Sequence, residues 1–438
     1  MKRSRSILIV GGGPTASKIA LTSSTKLQNS TITIWEKSSS PGRFAINTPR
    51  GAAASGGAIC DLGAQWFTAS DSRTLSFLSS LETKGLITKL SQNSILGARG
   101  FDDYPQYISL KGSASIVNDT LEAAISNGVT YIKNKKLISL QIVHDTQHDT
   151  TTTTTTSTVD DNQSNTTKSL WQATDEDGNN ALFDAICLTI PAPQVLQIKG
   201  TSLSKILDIS GVTKALQAVT YSTRLVLAIY FPESSQKLFE DKLSWFGKYI
   251  NKQDKGGDVI RYLSFESRKR NKDTNSDTST SRVYCPSFIS HSTIEFGTAN
   301  EFTDDYKKVL EPILVKSTLV SLADALDINE SDLPTPIETR VHRWKYSQVT
   351  RAFAMESFEY TTALKENEGE ENSINKSNST TITTSALLIQ GVPVTSQLES
   401  GDSSLLLSPP LYLAGDYFTS SNLAGCLKSA DAINFEEK

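Results

Sequence analysis

Apolar positions fall into two kinds of run along this chain. The first kind is short and nearly all apolar, at residues 7–10 (ILIV), 185–190 and 411–413, with 31–35 and 129–132 as further strands of the same sheet. Such runs belong to strands buried on both faces, as in a parallel sheet between helices. The second kind alternates. Residues 137–143 and 170–173 read as an antiparallel meander, and 219–231, 245–250, 260–265 and 288–294 as a mainly antiparallel sheet. Helical spacing appears at Leu75, Leu78 and Leu81, across 112–125, and across 306–326, which Pro312 is expected to bend or break. Residues 104–110 give one more short strand. A closing helix carries Leu423, Leu427, Ala430 and Ile433 on its apolar face, with Ser420 or Ser421 expected as its cap.

Three polar stretches interrupt this pattern: 144–168, with seven consecutive threonines at 150–156, then 267–282, and 366–404 around one apolar patch at 386–389. They hold too little apolar surface to join a core and are expected as disordered or low-complexity inserts. The expected fold class is α/β. A Rossmann-type dinucleotide-binding domain (1–70, 110–200 and 405–438) is paired with a discontinuous α+β substrate domain on an antiparallel sheet (71–109 and 201–352), and 363–404 is set apart as an insert.

The first strand runs directly into Gly11, Gly13 and Ala16, a G-x-G-x-x-A fingerprint. Gly11 permits the turn, Gly13 lets the backbone approach a pyrophosphate, and small Ala16 lets the helix lie close on the strand. The first free N–H groups then face a phosphate, with the Thr15 hydroxyl beside them. The second strand ends on Glu36, about twenty residues on, where an acid accepts ribose hydroxyls. The fingerprint alone leaves FAD and NAD open. Leu411–Leu413, Gly415, Asp416 and a helix start at the other end of the chain favour FAD: Asp416 can hold a ribitol hydroxyl, and the helix N-terminus favours charge on a reduced ring.

Composition narrows the partners. The 438 residues allow two or three domains, and a net charge of −4 without a long basic block gives no reason to expect nucleic acid. The four cysteines, Cys60, Cys187, Cys285 and Cys426, form no C-x-x-C pair, so neither a zinc site nor any other metal is expected. No apolar run approaches the ~18 residues of a membrane span, and the apolar run near the start is too short for a signal peptide. A cytoplasmic protein without a membrane partner is the expectation. Arg43, in the PGR turn, can grip pyrophosphate oxygens, and Gln65 and Trp66, in DLGAQWF, can meet a flat ring. His144 and His148 lie in or beside the first insert, which leaves His291 and His342 for chemistry, although for either one taken alone a packing histidine is the better reading.

Taken together, the fingerprint with Thr15, PGRF, DLGAQWF, LTIPAPQVLQI, VTYSTR, IRYLSFESRKRN, HSTIEFG, HRWKYSQV and AGDYFTSSNLAGC resemble the renalase branch of the FAD-dependent amine-oxidase superfamily. The resemblance implies oxidation of the 2- and 6-dihydro isomers of NAD(P) to NAD(P)+, with molecular oxygen reduced to hydrogen peroxide, in metabolite repair. It implies that Gly11, Gly13, Thr15, Ala16, Glu36, Arg43, Gln65, Trp66, Gly415, Asp416 and Asn422 serve non-covalent FAD. His291 and Trp344 would line the substrate side as the catalytic pair. Two alternatives stay open: an amine or polyamine oxidase using Trp344, Lys345 and Tyr346, and a flavin-binding protein without turnover. Alternation along a strand sets Trp344 and Lys345 on opposite faces, which counts against the first.

Overall fold

The computed structural model of the chain describes residues 4–27, 29–50, 57–91, 94–98, 104–145, 168–270, 285–354, 381–389, 392–397 and 409–435. At its centre is a seven-stranded sheet in the order Val392–Gln397, Thr381–Ile389, Leu411–Leu413, Ala185–Leu188, Arg5–Val10, Ser30–Trp35, Thr130–Ile132. Its neighbours run parallel, apart from the antiparallel edge pair 381–389 and 392–397. The uninterrupted apolar run of the first strand follows from burial on both faces. Ile7 and Ile9 pack with Ile19, Ala20, Ile116 and Leu427, while Leu8 and Val10 pack with Leu140, Trp171 and Leu203. The expected meander is present as Leu137–Asp145, Lys168–Asp175 and Asn180–Phe183, which cover the Leu8 side.

A six-stranded sheet forms the second half, in the order Glu338–Arg351, Thr220–Tyr230, Ser287–Ser292, Ile260–Phe265, Gly247–Tyr249, Ile95–Leu96. Its long strand Thr220–Tyr230 sorts its side chains by parity. Leu225, Leu227 and Ile229 meet Leu310, Leu314, Leu322 and Leu326, whereas Val226, Ala228 and Tyr230 meet Ala45, Cys60 and Leu62 of the nucleotide half. One face is therefore closed by a helix, and the other is turned toward the dinucleotide fingerprint's own half. The helix Tyr306–Leu326 runs on through Pro312, where a bend or break was expected. Its buried stripe of Leu310, Leu314, Thr318, Leu322 and Leu326 spans both sides of the proline, so packing outweighs the one lost backbone bond.

Packing divides the chain differently from the expected segments. Leu78, Leu81, Ile87 and Tyr107 join the Ile7 cluster, and Leu203, Ile206, Leu207, Val212 and Leu216 join the Leu8 cluster, so most of 72–109 and 201–217 packs on the parallel sheet. Of the first of these segments, Ile95–Leu96 pairs with the antiparallel sheet. An amphipathic helix fits either sheet, and periodicity alone does not choose between them. The third polar stretch also contributes to the core. Leu387 and Ile389, 1% and 0% exposed, lie in a strand parallel to Leu411–Leu413. The run ALLI has the signature of the other buried strands, which the polar composition around it masks. The second stretch starts later than expected, because Glu266–Arg270 is helical with Glu266 and Lys269 buried. The remainder of all three stretches (146–167, 271–282, 366–380, 390–391 and 398–404), with His148, lies outside the described residues.

Candidate functional site

The fingerprint turn is built as a cradle. Gly11 has φ +115°, a backbone that side chains rarely tolerate, and an ideal Cβ placed on Gly13 would meet nothing within 4 Å. Helix Pro14–Lys26 has Gly13 as its N-cap and no side-chain cap, so its first-turn N–H groups have no partner within the helix. Glu36 is buried here, accepting the Gly12 N–H on Oε2 (2.7 Å) and the Ser38 N–H (2.8 Å) and hydroxyl (2.5 Å) on Oε1. The acid thus shapes the turn, with each of its carboxylate oxygens accepting from the chain itself. Ala16 is fully buried, in line with its packing role. Thr15 is placed differently from a free phosphate donor: its hydroxyl donates to the Cys426 carbonyl at 3.3 Å and ties the fingerprint helix to the closing helix.

The closing segment carries the second cluster. Asp416 forms an ion pair with Arg43 at 2.8 Å and accepts the Ser421 hydroxyl at 2.9 Å, while Arg43 also donates to the Ser347 carbonyl (3.1 Å) and to Ser421 Oγ (3.2 Å). Arg43 is therefore engaged with Asp416 rather than held free for a pyrophosphate. Burial pulls its guanidinium down, and the Asp416 carboxylate outweighs that and raises it. Asn422, and neither serine, caps helix Leu423–Asp431, its side chain accepting the Gly425 N–H at 2.8 Å. Ser421 instead accepts the Val349 N–H at 3.0 Å, linking this segment to the antiparallel sheet. Gly415 adopts φ +149°, with Tyr417 pressed against the space a Cβ would take. The Cys426 thiol is pushed up to about 12 by burial, so it is not poised as a nucleophile.

Facing this half, the antiparallel sheet aligns side chains across five strands. The pairings His342–Val226, Val226–His291, His291–Tyr262 and Tyr262–Tyr249 set one row on one face. The rings of His291 and Tyr262 meet edge to face at 5.8 Å, and Trp66 of the nucleotide half packs on Tyr262 (5.6 Å) and Tyr249 (6.3 Å). His291 Nε2 and Tyr262 Oη are buried without a partner among the described residues. Burial first, then Arg224 and Lys269, lowers His291 to about 3; burial and Lys307 lower His342 to about 4. Both imidazoles are neutral near pH 7. Trp344 lies on the same face, its ring 4.1 Å from that of His342 and its Nε1–H on the Leu62 carbonyl at 2.9 Å. Lys345 points to the other side, 5.3 Å from the Phe302 ring, and Tyr346 packs on Tyr221.

Sequence reasoning missed a buried ion network that joins the halves. Asp61 Oδ2 takes Lys269 Nζ and Arg270 Nη2, both at 2.6 Å, and its Oδ1 accepts the Ser113 N–H at 2.6 Å. Glu266 accepts Arg270 Nη1 (2.9 Å), the Ser264 hydroxyl (2.7 Å) and the Asp61 N–H (2.9 Å). Lys269 and Glu266 side chains are fully buried. Two acids offset two bases, so no net charge is desolvated. Burial pushes Asp61 up, but Arg270 and Lys269 more than offset it and hold it below the ordinary carboxylate range. Gln65 is drawn in as well: its amide donates to the Asp61 carbonyl, and its oxygen accepts from Lys269 at 3.4 Å. The available signal was the density of charge in ESRKR beside an apolar strand, which reads equally as a solvated end.

Comparison with known proteins extends this picture over the whole chain. It is similar to renalase of Mus musculus, 23% identical over 447 residues that span 98% of this chain and 97% of that protein. A solved structure provisionally assigned as a protoporphyrinogen oxidase, from Exiguobacterium sp. 255-15, shares the fold with a TM-score of 0.54 at 12% identity, covering 98% of this chain and 97% of that one. No family model matches. The similarity to renalase expected from the motifs thus runs nearly end to end, and the α/β architecture expected from the apolar pattern is the one observed. Among the described residues no helix is long and apolar enough to cross a membrane.

Proposed function

We propose that this chain is an FAD-dependent oxidoreductase of the renalase type, oxidising 2- and 6-dihydro isomers of NAD(P) to NAD(P)+ while molecular oxygen becomes hydrogen peroxide. One observation carries the reading: a row of aromatic rings containing the two orphaned polar atoms, His291 Nε2 and Tyr262 Oη, faces a nucleotide half whose fingerprint turn is open and uncapped. The residues fit non-covalent FAD. Space at Gly13, the free first turn of the fingerprint helix and Glu36 suit its adenylate end; the Arg43–Asp416 pair with Gly415 and Asn422 of the closing segment, and Gln65 and Trp66 beside the aromatic row, are assigned to the rest of it. Bound FAD would supply a two-electron acceptor that oxygen can restore.

The chain's own residues then have a positioning task. A misreduced dihydronicotinamide restores an aromatic pyridinium on losing hydride, so it needs no general base. Neutral His291, held against Tyr262, can give or take one hydrogen bond to a polar substituent of the ring, and Trp344 limits where the ring can lie. Amine oxidation wants a basic group at the ring, and neither lysine nearby offers one. Lys345 faces away, and the Lys269 ammonium is spent on Asp61, Gln65 and Glu266.

The test is substitution on the substrate side. His291→Ala and Trp344→Ala should each slow anaerobic bleaching of the bound flavin by 2- or 6-dihydro-NAD about 10- to 100-fold, with flavin content unchanged. Loss of flavin from both variants, or unaltered bleaching rates, would refute the assignment.

A further inference from the structure

Two arginines on the antiparallel sheet have no task in the chemistry proposed above. Arg224 stands two residues from Val226, the register partner of His291, and itself pairs with Trp344, so it shares their face. It is half-buried, and its Nη1 donates to the Ser292 carbonyl at 2.7 Å. Arg261 is exposed, its guanidinium 5.3 Å from the centroid of Tyr249, and donates to the Ile250 carbonyl at 2.8 Å. Tyr249 in turn packs on Tyr262 at 5.3 Å, which puts Arg261 at the Tyr249 end of the aromatic row, and Ser292, whose carbonyl takes the Arg224 guanidinium, pairs with Ile260 next to Arg261.

Neither arginine holds an acid among the described residues, a state shared with Arg5, Arg268 and Arg343, which also donate to backbone carbonyls; of these five, only Arg224 and Arg261 adjoin the aromatic row. Arg43, Arg73, Arg270 and Arg340 each hold a carboxylate, at 2.8, 2.6, 2.6 and 2.8 Å. Arg224 and Arg261 form no ion pair among the described residues; each is bonded to a backbone carbonyl instead. Burial lowers Arg224, Arg261 lowers it further, and Tyr249 and Glu295 offset part of this without forming an ion pair. A half-desolvated cation beside a like charge is unfavourable on its own, and an anion set between the two would relieve it. Planar guanidinium groups match phosphate oxygens two at a time.

We propose that Arg224 and Arg261 form an anion subsite that takes the diphosphate of the dinucleotide substrate as it leaves the aromatic row. The nature of the substrate rests on the function proposed above; the binding of a diphosphate does not. ADP-ribose carries the diphosphate without an oxidisable ring, so titrating FAD-loaded protein with it by calorimetry separates binding from turnover. Arg224→Gln and Arg261→Gln should each weaken ADP-ribose about tenfold or more. An Arg73→Gln control should not, and the wild-type affinity should fall with added salt. Arg261 is exposed, so its variant decides the matter even if Arg224→Gln folds poorly. Equal affinity in wild type and both variants, or no binding to wild type, overturns the subsite. Inorganic pyrophosphate binding as tightly as ADP-ribose would overturn the assignment to a nucleotide tail. If the arginines govern ADP-ribose binding yet no dihydronicotinamide bleaches the flavin, the subsite stands and the proposed substrate falls.

Discussion

The two halves of the molecule would offer the ligands proposed above different kinds of atoms. On the parallel sheet the contact surface is backbone: a turn at Gly11, open room at Gly13 and the uncapped start of a helix. On the antiparallel sheet it consists of side chains set in register across five strands, from His342 through His291 to Tyr249. A backbone site can be damaged only by filling its space or moving its chain, whereas a side-chain site can be dismantled one group at a time. Cofactor retention and turnover should therefore be separable by mutation. The seam between the halves, the Asp61–Lys269–Arg270–Glu266 network, should govern stability instead.

The sharpest break of the first half is Gly13→Asp. A Cβ at Gly13 meets nothing, so the protein should fold with its melting temperature in the flavin-free state little changed. A carboxylate in the place of a pyrophosphate should nevertheless leave the purified protein colourless. Yellow protein with full flavin content would show that the fingerprint does not hold the cofactor.

Next in size is the seam. Lys269→Met leaves two buried carboxylates facing one arginine and should cost about 3–5 kcal/mol in urea unfolding. A loss below ~1 kcal/mol would mean the network is not desolvated in solution.

Features that are contiguous in sequence could be read from it, and features assembled across strands could not. The fingerprint, Glu36 and the closing Gly415–Asp416 are local strings, and their placement follows from the strands that carry them. The aromatic row is not local. His291, Tyr262 and Tyr249 come together only through the register of three strands, so Tyr262 and Tyr249 gave no signal on their own. The same holds for Asp61 and Lys269, more than two hundred residues apart and joined at 2.6 Å. The partners of Thr15 and Arg43 were hidden for a related reason: each side chain meets the closing segment, roughly four hundred residues along the chain.

A smaller effect follows from the two neutral histidines. The folded protein holds His291 near about 3 and His342 near about 4, below the ordinary 6.5, so between those values the unfolded chain binds protons that the fold refuses. Stability should be level above about pH 6.5 and fall as the pH drops toward 4. The urea midpoint at pH 5 should lie below that at pH 7.5, and His291→Gln should narrow the gap. A midpoint that rises on acidification would place charged imidazoles on this face.

Removing residues 150–167 should change least. The insert's two ends are already neighbours, since Asp145 pairs with Lys168 in antiparallel register, and a short turn can join them. Flavin content and peroxide formation should match the full chain, and insoluble protein would contradict the reading of this stretch as an insert.

Whether the side-chain face selects misreduced dihydronicotinamides is decided by anaerobic stopped-flow reduction of the bound flavin with a panel of donors. Bleaching should be fast with 2- and 6-dihydro-NAD, and slow or absent with the ordinary 4-dihydro cofactor and with primary amines or polyamines. Faster bleaching by an amine than by either isomer would contradict the assignment.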